Sequence, residues 1–335
     1  MYTKYYISLI LGVLLCSIVP ITVYLLSGEK TTEQAYIKTV YYFEQVDGPI
    51  QPIPRKLDID KRWLTLGKAL FHSPLLSKDN TISCSSCHLI DFGGDDGFPV
   101  STGIKNAEGV RNSPTVFNAS FNFRQFWDGR ASSLSEQIAG PVHNPTEMGS
   151  SWAEVVEKLN KDAYFSKTFQ KLSPQGITTD NIIKAITIYE ESLITPNAPI
   201  DRYLLGDKSA LSEQQKRGLT YFINYGCASC HQGKNIGGNI FQKLGRVNDI
   251  PEILTLDQGK FEVTKRDQDR YIFKVPSLRN IADTGPYFHN GSIDNLPEAV
   301  RIMASSQLGR VLTDEEVRDI VALLGAFSSK VIEVQ

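Results

Sequence analysis

The 335-residue chain has little of what usually staples or charges a protein: five cysteines, five histidines, three methionines and three tryptophans, with a formal charge of −2. That even balance leaves no basic excess, so composition gives no reason to propose nucleic acid or a polybasic lipid surface as partner. Four of the five cysteines fall in two identical Cys-x-x-Cys pairs, which leaves none for the disulfide framework common in exported domains. Charge is missing altogether from Tyr5 to Gly28, and the run Ile7 to Leu26 is long enough to cross a hydrocarbon core as one helix. Bulky Tyr24-Leu25-Leu26 stands where a cleaved signal sequence would carry small residues, so residues 1–28, with Lys4 ahead of the apolar run, are expected to form an N-terminal transmembrane anchor in preference to the alternative, a signal sequence. Cys16 follows the large Leu15 inside that run and reads as a membrane-facing residue.

No stretch reads convincingly as sheet. Residues 29–60 contain DGPIQPIP, whose prolines and glycine cannot propagate a helix, and this segment is expected to be a tether. Beyond it, apolar residues recur at helical spacing over 151–160, 179–194, 212–225, 296–305 and 313–327. Ser133 with Glu136, Ser212 with Gln215 and Thr313 with Glu316 match capping boxes. Gly67-Lys-Ala-Leu-Phe71 and Gly218-Leu-Thr-Tyr-Phe222 form a weak repeat, one copy ahead of each cysteine pair. The expected fold is therefore mainly α, with two cytochrome c-like halves, 61–200 and 201–335, joined near Pro196 to Gly206.

Each cysteine pair is followed directly by histidine, as Cys84-Ser85-Ser86-Cys87-His88 and Cys227-Ala228-Ser229-Cys230-His231. In this pattern two thiols form thioethers with the haem vinyl groups and the histidine reaches the iron. A zinc ribbon would pair its cysteines across a short loop, and a thioredoxin-like pair would sit in a βαβ setting; neither context is present. Two haem c groups are thus expected. The sixth position on each iron separates electron carriage from chemistry, because methionine closes it and an open site admits peroxide. After Met1 the candidates are Met148 and Met303, and Met303 falls in the same half as the second motif.

These residues resemble the bacterial dihaem cytochrome c peroxidases. The likeness runs from about Leu66 to Leu324 through LGKALF, the GGDDG loop, RNSPTVFNASFNFRQFWDGR at 111–130, LITPN at 193–197, KVPSLRN at 274–280 and TGPYFHNGS at 284–292. The resemblance implies that His88 is the proximal ligand of a peroxidatic haem, and that His231 with Met303 ligates a haem that collects electrons from a small c-type cytochrome or cupredoxin. It further implies a distal acid–base carboxylate at Glu147, a companion amide at Gln137, a tryptophan between the haems at Trp127, and one calcium ion held by Asn112, Thr284 and Pro286. His289 matches a histidine that supports the electron-transfer haem, whereas His143 and His72 match none and read as surface residues or as residues that back a ligand without binding iron. A periplasmic body, anchored to the inner membrane by the N-terminal helix and forming a homodimer, completes the expectation.

One departure matters. Many such enzymes close the peroxidatic haem with a histidine in a stretch reading SIGHG, where this chain has Ser101-Thr102-Gly103-Ile104-Lys105. Ile104 cannot bind iron, so unless another residue such as His143 takes its place, the first haem is expected to be open without reductive activation. The alternatives are a dihaem oxidase that modifies a protein residue, against which Met303 speaks, and a non-catalytic dihaem electron carrier.

Overall fold

The computed structural model describes residues 39–332. The anchor expected over 1–28 lies outside the described residues, and among those described no helix is long and apolar enough to cross a membrane. Among the described residues eleven helices dominate: α1 (Lys61–Phe71), α2 (Leu134–Gln137), α3 (Ala139–His143), α4 (Trp152–Lys161), α5 (Ala163–Leu172), α6 (Thr179–Ser192), α7 (Pro199–Leu204), α8 (Glu213–Asn224), α9 (Phe261–Thr264), α10 (Leu296–Leu308) and α11 (Asp314–Gly325). Two ribbons join them, β1 (Val40–Tyr42) antiparallel to β2 (Lys56–Asp58) and β3 (Phe241–Lys243) antiparallel to β4 (Ile272–Lys274). Strands this short are below what alternation can reveal.

Helix starts follow side-chain chemistry. Ser212 and Thr313 close full capping boxes with Gln215 and Glu316. Ser133 accepts from the Glu136 N–H, but the Glu136 carboxylate returns to the N–H of Ser132, so the box expected there closes one residue early. Helix α5, absent from the periodic windows, follows α4 because Asp162 stops one helix and caps the next, accepting from the N–H groups of Tyr164 and Phe165.

The repeated glycines explain how the helices pack. A Cβ on Gly67 of α1 would stand 1.9 Å from the Ala185 carbonyl oxygen of α6, and one on Gly218 of α8 would stand 2.1 Å from the Asp319 carbonyl oxygen of α11. Each crossing therefore needs a residue without a side chain. Around the first lie Trp63, Leu66, Leu70, Val155, Ile182 and Ile186; around the second lie Phe222, Ile236, Val317, Ile320, Leu323 and Phe327. Burying each aliphatic side chain of this kind contributes about 1.5–3 kcal/mol.

A buried polar chain runs between these cores. The Asn118 amide donates to Thr195 Oγ1 at 2.8 Å, the Thr195 hydroxyl donates to Asn280 Oδ1 at 2.8 Å, and Asn280 Nδ2 donates to the Ser329 carbonyl at 2.6 Å. Removing any member leaves a buried polar partner unpaired, at about 1–3 kcal/mol. The described part of the 29–60 segment is packed rather than free. Gly233 N–H donates to Pro49 O at 2.7 Å, fully buried Arg279 pairs with Asp201 at 2.8 Å and donates to Gln51 O at 2.9 Å, and Tyr41 donates from its hydroxyl to Glu191 O at 2.7 Å. Residues 39–58 thus form a strap across both cores.

Candidate functional site

Both Cys-x-x-Cys-His motifs lie on a 3₁₀ turn, Cys84–Ser86 in one and Cys227–Ser229 in the other. The four thiols are free. Burial pushes the Cys84 thiol up, and pushes Cys87 and Cys227 up to about 11, which keeps them protonated at neutral pH rather than poised as thiolates. Neutral thiols in an apolar setting suit addition to vinyl groups better than a zinc or redox site. His88 Nδ1 lies 3.2 Å from Gly94 O, and His231 Nδ1 lies 3.3 Å from Ile236 O. A carbonyl at Nδ1 fixes that nitrogen as the protonated one and leaves Nε2 with its lone pair for a metal. Burial pulls both imidazoles down, His231 to about 4, so each stays neutral and able to ligate. Phe71 and Phe222, the last residues of the repeat, each hold their ring 6.5 Å from the corresponding histidine. The residues present fit haem c at both places.

What surrounds the two motifs differs. Met303, on α10, lines a large, mostly apolar cavity together with Cys227, Cys230 and His231. Near the first motif, α3 ends at Asn144, and the loop that follows carries Glu147. Asn144 organises this loop: its Oδ1 accepts from Thr146 N at 3.0 Å, its carbonyl accepts from Glu147 N at 3.0 Å and Gly149 N at 2.8 Å, and its Nδ2 donates to Glu147 Oε1 at 2.7 Å. Burial raises the Glu147 carboxyl above its usual range, against the Asn144 hydrogen bond and the Arg130 charge, which pull it down. The Glu147 charge in turn helps to raise the Cys87 thiol, so the carboxylate and the first motif share one environment.

Ile104 is buried beside this loop, its N–H donating to Glu147 O at 2.8 Å. Gly103 allows the approach, since a Cβ there would be 2.1 Å from Thr146 O. His143 is exposed and meets Trp152 edge-on at 5.7 Å, and His72 is exposed at the end of α1. Gln137 ends α2, half-buried, and no hydrogen bond among the described residues joins it to Glu147. Met148 belongs to the first core.

Trp127 lines the cavity of the second motif and donates from Nε1 to Asn112 O at 2.9 Å. Its ring lies 6.3 Å from His289, which stacks on Phe273 at 4.3 Å and accepts from Asn112 N–H through its own carbonyl at 2.9 Å. Burial pulls His289 down to about 4. Trp127 and His289 occupy equivalent places in a second repeat: Pro114, Asn118, Phe126 and Gly129 recur at the same spacing as Pro276, Asn280, Phe288 and Gly291. Both asparagines have φ 59° and both phenylalanines φ 67°. Asn112, Thr284 and Pro286 line the same cavity as Asp95, a buried carboxylate whose Oδ1 has no partner among the described residues and which burial raises to about 7.

Sequence reasoning missed Asn144, Asp95 and this second repeat. Asn-Pro at 144–145 is a turn signal that could have marked the first, and the shared Pro, Asn and Phe-x-x-Gly spacing the last.

A family model for di-haem cytochrome c peroxidase matches residues 61–209. The chain is 47% identical to cytochrome c peroxidase Ccp of Escherichia coli strain K12 over 84% of its own length and 61% of that longer protein. It is 42% identical to cytochrome c551 peroxidase of Pseudomonas aeruginosa, with 86% of each chain covered. Among solved structures it is similar to a MauG-like protein associated with microbial copper homeostasis, at TM-score 0.73 and 27% identity over 86% of this chain and 95% of that one.

Proposed function

The chain belongs to the di-haem cytochrome c peroxidase family, which makes it a haem enzyme that reduces hydrogen peroxide, and we propose that the two motifs divide the work between them. In this reading residues 61–200 form the peroxidatic half, in which Cys84 and Cys87 attach a haem and His88 binds its iron. Residues 201–335 form the electron-transfer half, in which Cys227 and Cys230 attach a haem held by His231 and Met303. When bound, each haem supplies an iron that passes electrons one at a time.

The observation that carries the reading is the placement of Glu147, partly buried with a raised carboxyl and a single oriented donor from Asn144, beside the first motif and not the second. Cleaving peroxide to two waters takes two electrons and two protons, and one proton must pass from one peroxide oxygen to the other. A carboxylate of raised pKa accepts that proton and returns it. Gln137 serves as the companion amide that orients peroxide, and Trp127, between the two motifs, as the aromatic bridge for electrons.

Ile104 beside Glu147 supports an enzyme active without pre-reduction, since its side chain offers no ligand to iron. Asn112, Thr284 and Pro286 would hold one calcium ion. Oxygen donors suit it, and the unpartnered Asp95 oxygen in the same cavity supports a cation there. The donor would be a small c-type cytochrome or cupredoxin, met in the periplasm. The membrane anchor rests on the apolar run over 7–26 and the homodimer on family likeness alone.

The test is steady-state peroxide reduction with a reduced small cytochrome, run with and without prior one-electron reduction of the enzyme. Equal rates are expected, with a substantial high-spin electron paramagnetic resonance signal from the diferric protein; two purely low-spin haems would overturn the open first site. Replacing Glu147 with Ala should abolish turnover, whereas a mere carrier has none to lose.

A further inference from the structure

Lys274 closes β4 with only 6% of its surface exposed. It lines the same cavity as Cys227, Cys230, His231 and Met303. Its backbone is satisfied, the N–H donating to Trp127 O at 2.8 Å, but its ammonium has no carboxylate or hydrogen-bond partner among the described residues. Other cations along the cavity are better placed for water: Lys243 is exposed, and so is Arg310, which rests on the Tyr225 ring at 4.0 Å. A lysine buried without an anion is costly, and side chains of this kind are retained where a charge is supplied to them. The carboxylate that lines this cavity, Asp95, does not pair with Lys274, whose pKa is lowered by burial alone, and the chain neighbours of Lys274, Phe273, Val275 and Pro276, are apolar.

Haem c brings its own anions, two propionate carboxylates. We propose that Lys274 is the counter-ion of a propionate of the haem held by Cys227, Cys230 and His231, and that its charge raises the midpoint potential of that haem. The inference rests on the two-haem reading above and adds to it a residue that no thioether or iron bond identifies. The physical sign is fixed: a positive charge near the iron favours the form that carries one more electron, so removing the charge favours the ferric form. Lys274 is a positioning residue in this scheme; it touches the cofactor's periphery and acts on the iron through space. Because β4 also carries Phe273, which stacks on His289, the same strand places both a charge and an aromatic wall beside the second haem.

The experiment is a potentiometric titration of the holoenzyme, with the Met303-ligated haem followed by its own absorption, on the native protein and on Lys274→Met, Lys274→Gln and Lys274→Arg. Two haem c per chain in the native protein, by pyridine haemochromogen, tests the underlying reading first and separately. A fall in the midpoint potential of the second haem alone is expected in the Met and Gln variants, with the Arg variant staying near the native value. If the Gln variant binds two haems and titrates at the native potential, or if the Arg variant is displaced as far as Gln, the counter-ion role is wrong. Should the Met variant fail to take up haem, the Gln and Arg pair decides the matter alone.

Discussion

His88 and His231 each turn Nδ1 toward a backbone carbonyl, each has a phenylalanine ring 6.5 Å away, and each follows a helix whose glycine lets it touch its neighbour's backbone. Around them the two halves part company. The second half offers Met303 from a long helix, whereas the first offers a loop in which Asn144 holds Glu147 and Ile104 stands alongside. A duplicated frame thus repeats the surroundings of each histidine, and in the proposed reading a helix in one copy and a turn in the other would make the two iron sites differ. In the proposed reading the frame holds iron twice, and Glu147 adds a proton carrier to the first copy.

The strongest way to break this comparison is to remove that proton carrier. Glu147→Gln should lower peroxide turnover about 10²–10⁴-fold while the spectrum and potential of the second haem stay unchanged. A loss of turnover that comes with a shifted second haem would mean that the halves are not separable. Next in size is Met303→His, which should lower the potential of the second haem within the roughly 0.8 V range that axial ligands command and slow electron delivery, with peroxide binding at the first haem unaffected in a rapid-mixing measurement.

Gly67→Ala and Gly218→Ala test the shared frame. Each added methyl meets a carbonyl oxygen of the partner helix, and overpacking of this kind costs about 1–3 kcal/mol in denaturant unfolding. Similar losses from both would confirm equivalent crossings, and a silent Gly218→Ala would show that only the first is tight. The smallest effect is expected from Asn144→Ala. The Asn144 hydrogen bond holds the Glu147 pKa down, so its removal raises that pKa. The acid limb of the rate profile, where Glu147 takes up a proton and can no longer act as base, should therefore move to higher pH. An unchanged limb would relieve Asn144 of any part in proton transfer.

Much of this was legible in the sequence. The haem motifs, the helices at 152–161, 179–192, 213–224, 296–308 and 314–325, and the Gly67 and Gly218 repeat carry local signals that survive folding. What could not be read depends on contacts between residues far apart in the chain. DGPIQPIP reads as spacer because its prolines bar a helix, yet Ile50 and Ile53 are buried and Arg279 holds Gln51 from the other end of the chain. The Asn118, Thr195 and Asn280 chain has no local signature, since each asparagine reads as an ordinary turn residue. The Ser133 box failed by one residue because the Glu136 carboxylate takes the N–H of Ser132, at 2.7 Å, in place of that of Ser133.

The strap over 39–58 has a mechanical consequence. It is pinned by Tyr41 to the end of α6 on one side and by Pro49 and Gln51 to Gly233 and Arg279 on the other. A chain fastened to both cores braces one against the other, and breaking the buried Arg279–Asp201 pair, which holds Gln51 and Ile53 of the strap, would cost about 3–5 kcal/mol. If each motif holds its haem as proposed, the strap would set the gap between them when the protein folds.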